Sequence, residues 1–191
     1  MWYIDLGVDQ MTTEFFDKLT LDEARIVLRN FLDVEGEAVK EMVAAAAKDG
    51  VVADFSLGSL VPVLGWVARH LKELPKQPPE DLPGWIKNEH EKRVGWFEFD
   101  EPSKTLLLRA GYYLGETFVR NVKGLTWSTG NPDYIGKNMP VVTGFAGGDQ
   151  MLVRMVAENM AWRAMKTGSD GRIKSAIEAW LSKAPCIAGI C

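Results

Sequence analysis

The residues whose types and spacing come nearest to chemistry lie in the run Arg109-Ala110-Gly111-Tyr112-Tyr113-Leu114-Gly115-Glu116-Thr117-Phe118-Val119-Arg120, with Trp127 following after a short gap. At helical spacing Tyr113, Glu116 and Arg120 share one face, and Glu116 precedes Arg120 by one turn, the order that favours an ion pair. Two roles for Glu116 follow. In one it is an acid or base in an aromatic pocket, with Asp133 and Tyr134 on the loop beyond Trp127 as companions. In the other it is a structural carboxylate, paired to Arg120 or accepting backbone N–H bonds from the neighbouring strand. A lone carboxylate without a second carboxylate, a histidine or a metal is a poor catalyst, which favours the structural role. Gly111 and Gly115 bear on the same question. Each costs about 1 kcal/mol relative to alanine inside a helix, so the close approach of another segment is expected there, and the Trp127 strand is the nearest candidate.

Other chemistries fail on spacing. The chain has two histidines. His70 ends an amphipathic segment, and His90 lies in the charged run Lys87-Asn88-Glu89-His90-Glu91-Lys92-Arg93, which reads as a solvated helix face. His90-Glu91 begins like a zinc-protease helix, but Val94 occupies the place of the second histidine. No Gly-x-Ser-x-Gly elbow exposes a serine nucleophile. Gly130, Gly136 and Lys137 imitate a phosphate loop at the wrong spacing, with Asn138 in place of the metal-binding hydroxyl and a strand where a helix should follow. Gly144-Phe145-Ala146-Gly147-Gly148 reads as a strand-to-helix turn. The cysteines, Cys186 and Cys191, do not match a metal-ligand spacing. The expectation is therefore no catalytic set, no metal and no cofactor.

Composition narrows the class further. The 191 residues are 47% hydrophobic and 25% charged, the balance of a globular protein. A chain of this length buries enough surface to need no disulfide or metal. The net charge of −4 and the interspersed signs leave no basic footprint for nucleic acid. Met1-Trp2-Tyr3-Ile4-Asp5 lacks the basic-then-apolar pattern of a signal peptide, and the longest uncharged run, Phe55 to Ala68, is shorter than the roughly 20 residues that span a bilayer. These features predict a cytoplasmic protein with no membrane segment, monomeric or a small homo-oligomer.

The elements that must position Glu116 are legible from caps and periodicity. Thr20 and Glu23 form a capping box, followed by an apolar stripe of Leu21, Ala24, Leu28, Phe31, Val39, Val43 and Ala46; this predicts a long helix, interrupted near Gly36 and stopping at Gly50. Val51 to Phe55 reads as a strand, and Ser56 as the cap of a helix carrying Leu57, Leu60, Leu64, Val67 and Leu71. Four prolines between Pro75 and Pro83 predict a loop, and Trp85 to Arg93 a short helix. Asp100-Glu101-Pro102 starts the Glu116 helix, which runs to about Val122. Residues 125–129 and 140–145 are strand candidates, and 149–166 and 171–183 are amphipathic helices. The fold class is α+β: one helix-rich domain over 1–191, with a helical N-terminal part to residue 50 and a small antiparallel or mixed sheet of about three strands.

Asp54-Phe55-Ser56 with Ser59-Leu60, then Tyr112-Tyr113-Leu114-Gly115-Glu116, then Leu125-Thr126-Trp127, resemble a group of uncharacterised bacterial domains in which a Tyr-Leu-Gly-Glu helix precedes a tryptophan strand. The resemblance covers residues 50 to 160. Some members of that group resemble toxin-immunity proteins. The resemblance implies a non-enzymatic domain that binds a protein, with a toxin as the partner to expect, and abundant aromatic residues, seven tryptophans among them, suit an interface. The alternative is a small hydrolase or ligand-binding enzyme using Glu116. A deep polar pocket around Glu116 would favour the enzyme; a shallow acidic surface would favour the binding domain.

Overall fold

The computed structural model describes residues 13–185. Met1 to Asp5 and both cysteines, on which the readings of targeting and of metal-ligand spacing rest in part, lie outside the described residues. The order of elements is α1 (Thr13–Asp17), α2 (Leu21–Lys48), α3 (Leu60–His70), β1 (Glu73–Pro75), α4 (Gly84–Arg93), β2 (Phe97–Phe99), α5 (Glu101–Asn121), β3 (Thr126–Thr129), β4 (Pro140–Thr143), α6 (Val153–Thr167) and α7 (Gly171–Leu181). A helix-rich α+β architecture is thus present. Its strands form two antiparallel pairs, β1 with β2 and β3 with β4, rather than one sheet of three.

Local chemistry sets the helix starts. Thr20 and Glu23 bond reciprocally at the head of α2, and the Ser56 hydroxyl accepts from the Ser59 N–H before a short 3-10 turn leads into α3. Asp100 accepts from the Ser103 N–H at 3.0 Å, and Pro102 sits in the first turn of α5, where no N–H is needed. Helix α6 ends on Gly168 in the left-handed conformation.

Three expectations are corrected. Helix α2 runs without interruption through Gly36, where the glycine makes room for Tyr112 rather than a break: a Cβ would stand 3.1 Å from the phenol oxygen. The α2 stripe is also rotated slightly from the one read above, with Ala24, Val27, Phe31, Glu35, Val39, Met42 and Ala46 buried and Leu21 exposed. Residues 51–55 are not a strand. The Val51 N–H donates to the Ala46 carbonyl, and both backbone groups of Phe55 bond to side chains on α5, so no strand ladder can form. Phe55 also has φ 58°, which ends an extended run. The strand that does form lies at the start of the proline-rich stretch, where Pro75 faces Phe97 in a two-stranded pair that tolerates a missing donor.

Helix α5 is the centre. It packs against α2, α3 and α6, and the β3–β4 pair leans on α2 and α5. Buried residues from α2 through α7 form one contiguous core, with Tyr113, Leu114, Phe118, Leu60, Leu64 and Ile173 fully enclosed. Among the described residues no helix is long and apolar enough to cross a membrane.

Candidate functional site

Glu116 lies on the α5 face turned toward β3, with its side chain 18% exposed. One carboxylate oxygen accepts from Arg120 Nε at 2.7 Å, and the other accepts from the indole Nε1 of Trp127 at 3.0 Å. The partner on the strand is thus a side-chain donor, not the backbone N–H expected. The indole can reach the carboxylate because Gly115 lies under it: a Cβ at that position would stand 2.3 Å from the Trp127 ring and 2.9 Å from Val153. Gly111 serves a different neighbour. Its Cβ would meet the Arg154 backbone on α6 at 3.0 Å, so one glycine admits the tryptophan and the other admits a helix.

Tyr112, rather than Tyr113, is the tyrosine that belongs to Glu116. The Tyr112 ring stacks on Trp127 with centroids 5.9 Å apart, and Phe31 of α2 meets both rings edge-on. Burial pushes the Tyr112 phenol up, and the Glu116 charge adds to the shift against the opposing Arg120. Tyr113 points away, into the core. Its hydroxyl accepts from the Phe55 N–H at 3.0 Å and shares a hydrogen bond with Ser59 Oγ at 2.6 Å. Burial raises this phenol too, while the bond to Ser59 pulls it down. Arg120 bridges the two tyrosine environments: its guanidinium lies 4.1 Å from the centre of the Phe55 ring, which packs against Tyr113 at 4.5 Å. Asn121 completes the staple by donating to the Phe55 carbonyl at 2.7 Å.

Asp133 and Tyr134 are not drawn into this cluster. They lie exposed on the loop between β3 and β4, with Ile135 beside them. That loop is closed on itself and anchored. Gly130 and Asn138 bond through their backbones, the Asp133 N–H donates to Asn131 Oδ1, and the Asn138 amide donates to the carbonyls of Phe16 and Leu19. The glycine and lysine run that imitates a phosphate loop is this turn, and a strand follows it.

Sequence reasoning overlooked two carboxylates. Glu35 of α2 is 7% exposed behind Tyr112; burial raises its carboxyl, and Arg109 lowers it in part. Among the described residues its Oε2 and the Arg109 Nε have no hydrogen-bond partner, although Arg109 also pairs with Glu41 at 3.0 Å. The signal was a gap: Phe31 and Val39 are both apolar, and the turn between them, on the same stripe, holds an acid. Glu158 of α6 is the second, its carboxyl raised by burial with Arg154 opposing. It lines a cavity of about 540 Å³ with His90 and Trp96, whose rings stack 4.1 Å apart; His90 is therefore half-buried, not a residue of a solvated face. Two lysines at this cavity are already paired, Lys76 with Glu98 and Lys104 with Glu101. His70 stands 3.6 Å from Asp49 and packs on Trp66. Among the described residues no group of three His, Cys, Asp or Glu is placed to hold a metal ion.

Compared with protein-family models, with curated proteins and with solved structures, the chain gives no match.

Proposed function

We propose that this chain is a non-enzymatic protein-binding domain acting in the bacterial cytoplasm, and that its partner is a toxin it neutralises by covering the toxin's active site. The observation that carries this reading is the β3–β4 loop. Tyr134 and Ile135 are 53% and 79% exposed on a backbone that its own hydrogen bonds and Asn138 hold in place. An aromatic and an aliphatic side chain on a loop already fixed in shape lose little entropy on binding, and central aromatic anchors of this kind dominate interface energetics. Asp133 places a carboxylate on the same surface, and the net charge of −4 suits a basic partner. The alternative, a hydrolase or ligand-binding enzyme using Glu116, would need a carboxylate oxygen turned to a substrate. Both oxygens are instead engaged by Arg120 and Trp127.

A photo-crosslinking amino acid at position 135, introduced in the native host, tests the reading. It should capture one protein, and that protein should arrest growth when expressed without this chain. Tyr134→Ala should abolish capture and protection at an unchanged melting temperature. Capture that survives the substitution would remove the loop from the interface, and a captured protein without toxicity would remove the toxin.

A further inference from the structure

Helices α6 and α7 are joined through residues 168–170 and pack against each other. Between them lies a groove of about 380 Å³, at the small end of the roughly 300 to 1,000 Å³ typical of ligand sites. Its floor is apolar, made by Val156 and Met160 of α6 and Ala176 and Trp180 of α7. Its two charged lining residues are Arg163 and Arg172, both exposed and both near the connection between the helices. The groove is therefore polarised along its length. Arg172 and Trp180 stand about 12 Å apart along α7 at 1.5 Å per residue.

The guanidiniums are available. Among the described residues neither Arg163 nor Arg172 makes an ion pair or a side-chain hydrogen bond. The closest acid in the connection, Asp170, is turned against Gly65 of α3. The remaining polar side chains of the groove are satisfied by their own helices, Asn159 donating to the Met155 carbonyl and Ser175 to the Gly171 carbonyl. At the other end Lys183 lies over the Trp180 ring and is paired with Asp149 at 2.7 Å. In a chain of net charge −4, two unpaired guanidiniums over an apolar floor form a local exception.

We propose that this groove binds a small apolar carboxylate of the medium-chain fatty-acid class, with the carboxylate between Arg163 and Arg172 and the hydrocarbon chain laid along Met160 and Ala176 toward Trp180. Guanidinium forks match a carboxylate bidentately, and the roughly 12 Å between Arg172 and Trp180 along α7 accommodates a medium-length hydrocarbon chain. The proposal does not depend on the protein-binding role of the β3–β4 loop.

The test is an NMR titration of the full ¹⁵N-labelled chain with decanoate below its micelle concentration. Saturable shifts should appear in residues 156–163 and 172–180. Decanol, which keeps the chain and lacks the charge, should bind at least tenfold more weakly. Arg163→Gln with Arg172→Gln should weaken decanoate at least tenfold without changing the melting temperature, since both side chains are exposed. Ala176→Phe, which fills the floor, should abolish the shifts. Equal affinity for decanoate and decanol, equal affinity in the double variant, or no saturable shift in α6 and α7 would each overturn the proposal. So would shifts of the same residues that follow protein concentration alone, which would make this face a contact between copies of the chain.

Discussion

Replacing Glu116 with alanine removes two acceptors at once, and the structure allows each to be weighed. The Arg120 pair spans one helical turn, and Arg120 is 51% exposed, so solvent screening limits it to about 0.3 to 0.5 kcal/mol. The Trp127 indole is different. Its N–H lies in a half-buried contact at 3.0 Å, and without Glu116 it must find water or remain unpaired, at a cost of about 1 to 2 kcal/mol. Together the loss is about 1.5 to 2.5 kcal/mol, or roughly 3 to 10 °C in melting temperature for a chain of this size. Glu116→Gln keeps an oxygen for the indole and loses only the ionic part of the Arg120 bond, so it should cost about 0.5 kcal/mol. Trp127→Phe separates the terms. In a cycle of Glu116→Ala and Trp127→Phe followed by urea unfolding, the coupling should be about 1 kcal/mol, because the two residues share one hydrogen bond. A catalytic carboxylate behaves in the opposite sense, since its removal commonly releases strain and stabilises. A Glu116→Ala variant melting at or above the parent would refute the structural role.

Gly115→Ala should destabilise by about 1 to 3 kcal/mol despite the better helix propensity of alanine, because its Cβ would overlap the Trp127 ring and Val153; a thermal melt showing stabilisation would contradict the packing described. Glu35 gives a pH signature. Its folded carboxyl is raised by burial, so the native state holds a proton that the unfolded chain has released, and stability should fall as pH rises from about 4.3 through the raised folded value. Glu35→Gln should therefore melt above the parent at pH 7, with the gap closing below about pH 4, and a gap that does not change with pH would exclude this residue as its source. Tyr113→Phe should leave the Phe55 N–H and Ser59 without their shared partner, costing about 1 to 3 kcal/mol and speeding hydrogen exchange at the Phe55 amide. Unchanged exchange there would mean that the hydroxyl does not hold the 51–55 segment.

What could be read from the sequence was whatever local chemistry decides. The Thr20 box and the Asp100 cap each satisfy backbone groups within a few residues, so their helices begin near the positions they mark. What escaped depends on distant partners. Residues 51–55 have the β-branched character of a strand, yet Tyr113 and Asn121, more than fifty positions away, take the backbone groups a ladder would need. At the candidate site the link between Glu116 and Trp127 was anticipated as a strand contact, but helical spacing alone could not distinguish Tyr112 from Tyr113, because residues three and four positions from Glu116 both lie near its face. Glu35 escaped for the same reason. Its only mark in the sequence is the break it makes in the apolar stripe between Phe31 and Val39; the Arg109 charge that opposes its burial comes from another helix.

Three separate stretches, residues 54–60, 112–116 and 125–127, converge. Phe55 and Ser59 meet the Tyr113 hydroxyl, Gly115 admits Trp127, and Glu116 closes on the Trp127 indole. The Tyr113 hydroxyl and the Glu116 carboxylate are both engaged, so the set fastens the 50s segment and β3 to α5. Hydrogen bonds that hold the fold must be broken before those groups can do chemistry. In the proposed role, recognition falls to surfaces whose side chains the fold does not consume. Tyr134 and Ile135 on the anchored β3–β4 loop form one such surface, and the unpaired Arg163 and Arg172 above the α6–α7 groove form another. The two lie on different elements, so Tyr134→Ala should leave decanoate binding intact, and Arg163→Gln with Arg172→Gln should leave partner capture intact. Loss of both activities from either set of substitutions would mean one shared surface.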